Sequence, residues 1–82
     1  MRTMDQATPK KMMRMRVIHK QFGVIQSLPE EFNEFKLKEW IQTLEEIADG
    51  SNECLSILDD KGNYVVVNPH ILKEAVLMVA MD

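Results

Sequence analysis

The 82-residue sequence is poor in the residues from which most sites are built. Its one cysteine, Cys54, rules out a disulfide framework and, with no secretory signal, suggests a cytoplasmic home. Three glycines and no glycine-rich fingerprint leave no phosphate-binding loop. Neither histidine, His19 or His70, has a second His, a Cys or an Asp at a metal-ligand spacing. Surface or half-buried imidazoles are expected at both. The longest apolar run, residues 75–81, falls far short of the roughly 20 residues that span a bilayer. The basic amino-terminal stretch lacks the apolar core of a signal peptide. A soluble chain is expected.

The chemistry of catalysis is equally thin. Cys54 follows Asn52 and Glu53, which supply neither a base nor an electropositive setting. It reads as a small buried residue. Carboxylates occur in pairs at Glu30/Glu31, Glu45/Glu46 and Asp59/Asp60. Neighbours on a helix diverge by about 100°, however, and acid–base work needs one member desolvated in a pocket. The run "DDKGN" lacks the alternating ligands and distal glutamate of a calcium loop. A non-enzymatic chain with no metal or cofactor is expected.

What the sequence does have is sorted charge. The formal net charge is only −3, but residues 1–20 hold six basic side chains and one aspartate. Residues 28–60 hold ten carboxylates against two lysines. The two regions would be drawn toward opposite kinds of surface, or toward each other.

Local signals outline one small α+β domain over residues 8–82, with a disordered tail over 1–7. Thr8, Pro9 and Gly23 offer a start and a stop for a helix over about 9–22. The alternation of Met13, Met15 and Val17 with Arg14 and Arg16 makes a strand the rival. Ser27 and Glu30 form a capping-box pattern. The apolar stripe then shifts sides near Lys36, so a short first turn, a break and a main helix over about 36–48 are expected, ended by Asp49-Gly50. Two β-rich runs, about 54–58 and 63–67, flank "DDKG" as a hairpin, with Gly62 suited to a positive φ. Asn68-Pro69 opens a helix over about 69–80, although its last residues could form a third strand. Those last residues are apolar nearly all round and need cover on both sides, which a second copy of the chain would give. A homodimer is expected.

On the main helix, Glu39, Glu45, Glu46 and Asp49 share the face opposite the apolar stripe. Glu30, Glu31 and Glu34 extend that field at one end, and Asp59 and Asp60 at the other. Polar outer faces are ordinary on amphipathic helices. Like charges nevertheless oppose helix formation, and carboxylates a few ångströms apart resemble a row of phosphates. The expectation is a regulator or inhibitor that binds a basic DNA- or RNA-binding protein through this face, as a nucleic-acid mimic. Two alternatives compete: direct phosphate binding by Lys10, Lys11, Arg14, Arg16 and Lys20, or service as a structural subunit. No aromatic stacking platform or recognition helix accompanies the basic set. An apolar interaction surface built on Met12, Met13 and Met15 is a further possibility.

Overall fold

A computed structural model describes residues 11–81. It shows a small α+β domain: an antiparallel sheet and a separate β-hairpin, both packed against one long helix. The chain runs β1 (Met12–His19), β2 (Gly23–Gln26), β3 (Glu30–Glu31), α1 (Glu34–Ala48), β4 (Leu55–Leu58), β5 (Tyr64–Val67), α2 (Pro69–Lys73) and β6 (Val76–Met81). The expected tail over 1–7 lies outside the described residues.

β1 is the central strand. One of its edges pairs with β2 and then β3, the other with β6, all antiparallel. This corrects the helix expected over 9–22, within its described part. A period of two puts Met13, Met15, Val17 and His19 on the buried face, and Arg14, Arg16 and Ile18 on the other. Met, Arg and Lys are good helix formers, but pairing on both edges outweighs a weak local preference. Gly23 accordingly opens β2 and does not close a helix.

Ser27 does not cap a helix either. Its hydroxyl accepts the Met15 N–H at 2.8 Å, while its own N–H donates to the Met15 carbonyl at 2.8 Å. The chain bends here, and Leu28 N–H reaches the Leu58 carbonyl at 3.1 Å, which ties the sheet to the hairpin. The expected break before the main helix is present, but Glu30 and Glu31 form a short strand, not a helical turn. The cap is Asn33, whose side chain accepts the Lys36 N–H at 3.0 Å.

α1 ends as expected at Asp49-Gly50. Gly50 N–H bonds the Ile47 carbonyl and Ser51 N–H bonds that of Glu46, with Gly50 at φ 108°. That is the paired bonding of a Schellman stop, whose left-handed residue favours glycine. The hairpin also forms close to the expected bounds. Leu55, Ile57 and Val67 face inward, and Gly62 turns at φ 87°.

The helix expected over 69–80 is only partly present. Asn68 caps it by accepting the Ile71 N–H at 2.9 Å, but it ends at Lys73. Val76–Met81 instead pairs with β1, because that strand needs a partner on its second edge and a Val-rich apolar run supplies one. The core gathers Met15, Val17, Leu44, Ile47, Leu55, Ile57, Val67 and Leu72 from both sheets and both helices. Met13 and Met15 are buried, so they cannot be contact residues.

His19 corrects the expectation of a surface imidazole, being only 2 % exposed. Its Nδ1 accepts the N–H groups of Gln21 and Phe22 at 3.1 and 3.4 Å, so the proton sits on Nε2, which donates to Glu74 Oε1 at 3.0 Å. Cys54 is corrected the other way. It is exposed, because the strand starts one residue later and Leu55 takes the inward position.

Candidate protein-binding face

The outer surface of α1 is built by its turn of 3.6 residues. Leu44 and Ile47 are buried, and Leu37 and Trp40 are half-buried beside them. Glu39, Glu45, Glu46 and Asp49 are all exposed. With Glu39 set at 0°, they spread over about 240° to 360° at 100° per residue. The four acids predicted to share a face do share it.

Their electrostatics differ along the helix. At its start, Glu30 Oε1 accepts from Lys36 Nζ at 2.7 Å, and Glu34 lies 3.9 Å from Lys38. The Lys36 ammonium is held above its ordinary value by the Glu30 hydrogen bond and then by that carboxylate's charge, with Glu39 adding to the effect. At the other end, Glu45, Glu46 and Asp49 have no ion-pair partner among the described residues. No basic residue stands in the last turn. A helix carboxyl end bears about half a negative charge, so carboxylates there are repelled by the helix itself.

The remaining acids stand apart from this group. Glu31 lies in β3 opposite Met12. Asp59 accepts the N–H groups of Lys61 and Asn63 at 2.9 and 2.7 Å, and so organises the hairpin turn. Asp60 accepts from Gln26 Nε2 at 2.9 Å and lies 3.8 Å from Arg14. The hairpin acids thus serve the turn and its seat on the sheet.

The basic set is dispersed. Lys10 lies outside the described residues. Lys11 stands 5.3 Å over the Phe32 ring. Arg14 is engaged by Asp60 and Arg16 by Gln26 Oε1 at 3.2 Å. Lys20 is exposed in the turn after β1, at the opposite end of the strand from Lys11. Among the described residues, no three His, Cys, Asp or Glu side chains are arranged to hold a metal ion. No helix there is long and apolar enough to cross a membrane.

Sequence reasoning missed Phe35. It is 82 % exposed and falls near 320° on the same scale, among the carboxylates. The main helix expected over about 36–48 left it outside, whereas α1 begins at Glu34. Once α1 starts at Glu34, its place one turn before Glu39 is the signal that puts it on the outer face. Against this geometry, no family model, no curated protein and no solved structure matches the chain.

Proposed function

We propose that the chain is a small interaction protein that works by contact alone. It binds a basic partner protein through the outer face of α1, most specifically one that binds nucleic acid. Glu39, Glu45, Glu46 and Asp49 occupy the place of phosphates, and Phe35 supplies an apolar anchor at the margin. The observation that carries this reading is the cluster of three carboxylates, without an ion-pair partner among the described residues, at the negative end of the helix dipole. That arrangement costs stability, so it is poorly explained as a merely solvated face. Binding by such a face is fast and sensitive to salt.

The test is capture of proteins from cell extract with the full chain as bait, followed by the reversal of Glu39, Glu45, Glu46 and Asp49 to lysine. The bound protein should be released by the reversal and by high salt, and duplex DNA should compete for it. Capture that survives both treatments refutes the reading and favours a structural subunit. The direct nucleic-acid alternative is addressed by titrating the chain with duplex DNA and single-stranded RNA at low salt. Its basic residues are already engaged at Arg14 and Arg16, and no shift is expected.

A further inference from the structure

His19 is the one buried polar residue among the described residues, and its side chain is only 1 % exposed. It stands at the end of β1, paired across the ladder with Gly23, and the chain turns back between them through Lys20, Gln21 and Phe22. The N–H groups of Gln21 and Phe22 point into this turn and meet Nδ1 at 3.1 and 3.4 Å. Among the described residues they have no other acceptor. On its other side the ring donates from Nε2 to Glu74 Oε1 at 3.0 Å. One imidazole thus closes the β1–β2 turn with a lone pair and holds the C-cap of α2 with a proton.

The ring can do both only while it is neutral. A protonated imidazole carries an N–H at each nitrogen and accepts nothing. Glu74 fixes where the second proton goes. Its carboxyl is held below the ordinary carboxylate range, chiefly by the hydrogen bond from His19, so it is an anion wherever imidazoles titrate and keeps Nε2–H. Nδ1 is the nitrogen left open, and a proton there points at two backbone N–H groups. Three donors cannot share one site without an acceptor. Gln21 and Phe22 are themselves exposed, so their N–H groups regain water once the turn swings out. The turn is the part that gives way.

The other charges near this pair leave the conflict in place. His70 lies 4.0 Å from Glu74 Oε2, the oxygen that His19 does not use. Lys20 sits in the turn itself and acts on Glu74. β2 and β6, which flank the end of β1, contain no charged residue.

We propose that His19 is a proton-operated latch, in which uptake of a proton at Nδ1 and opening of the turn at residues 20–22 are one event. Phe22 moves with the turn. Its ring centroid stands 5.1 Å from that of His19, and it walls an apolar groove of about 350 Å³ together with Ile25, Val65, Val67 and Ile71. Acid therefore removes one wall of that groove while α1, the hairpin and the rest of the sheet stay folded. The latch does not depend on the outer face of α1 binding a partner.

The test is a pH titration of the full chain by NMR, with the His19 ring nitrogens and the backbone amides followed together. The ring should gain its proton at the same midpoint at which the Gln21 and Phe22 amides lose protection by roughly ten- to a hundredfold, the equivalent of two hydrogen bonds. The amides of Leu44 and Ile57 should stay protected through that midpoint. His19→Asn places an acceptor oxygen near the position of Nδ1 but takes up no proton, so its Gln21 and Phe22 amides should stay protected over the same range. A native ring that gains its proton while both amides stay protected overturns the proposal. So does a ring that stays neutral until the whole chain unfolds, or a folded Asn variant whose turn opens at the native midpoint. The native titration decides the matter by itself where the variant does not fold.

Discussion

Replacing Asp49 by lysine should make this protein more stable. Asp49 is the C-cap of α1, four residues after Glu45 and three after Glu46, and no basic residue occupies the last turn. A charge at a helix end interacts with the macrodipole by about 0.3–1 kcal/mol, so reversing its sign changes the energy by roughly twice that. The two contacts with Glu45 and Glu46 turn from repulsion to attraction, each worth about 0.2–0.5 kcal/mol before and after. At low ionic strength the lower halves of these ranges combine to a gain of about 1.4–2.7 kcal/mol. For a domain of this size, 1 kcal/mol moves the midpoint by about 4–8 °C. Thermal unfolding of Asp49→Lys, followed by circular dichroism, should therefore show a midpoint higher by at least about 6 °C near 0.01 M salt. The gain should shrink near 1 M, where the screening length falls from about 30 Å to about 3 Å. An unchanged or lowered midpoint at low salt, or a gain indifferent to salt, would show that the carboxylates carry no energetic cost. The outer face of α1 would then be an ordinary solvated surface. The same variant should bind the captured partner more weakly, so stability and affinity would move in opposite directions.

Two further outcomes test the fold. Leu72→Ala empties a side chain only 2 % exposed, and should lower stability by about 2–5 kcal/mol, read as a lower urea midpoint at unchanged slope. A loss below about 1 kcal/mol would mean that α2 is not packed as described. Glu74 is held below its ordinary value of 4.5, chiefly by the hydrogen bond from His19, with His70 adding. A depressed folded value means that this contribution is complete above the ordinary range and is lost as pH falls through the lower one. Glu74→Gln keeps an acceptor for His19 but removes that titration. Its melting temperature should fall less steeply than the native chain's below pH 4.5, and parallel acid limbs would contradict the linkage.

The parts of the fold legible in the sequence were those decided by neighbours in the chain. The stripe from Leu37 to Ile47, the Asp49-Gly50 stop, the hairpin around Gly62 and the Asn68-Pro69 cap all report on local geometry, and all are present. β1 and β6 were decided by residues more than fifty positions apart. Met, Arg, Leu and Ala favour a helix locally, and only the pairing of Met15 with Val79 and of Val17 with Leu77 reverses that preference. Ser27 is the same lesson at one atom: its hydroxyl suits the first turn of a helix, but the Met15 N–H claims it from twelve residues away. In the site, the shared face of Glu39, Glu45, Glu46 and Asp49 follows from a period of 3.6. The attachment of Asp60 to Arg14 and Gln26 does not, since it depends on where the hairpin comes to rest.

The bend at Ser27 has a mechanical consequence. Residues 26–28 grip β1 through Arg16 and Met15, and at the same time hold the hairpin through Leu58 and Asp60. Peeling the hairpin away would pull directly on the central strand while wetting Leu55, Ile57 and Val67. Opening of the hairpin and loosening of the central strand are thus coupled, while the exposed turn at residues 60–64 stays within reach of a protease in the folded chain.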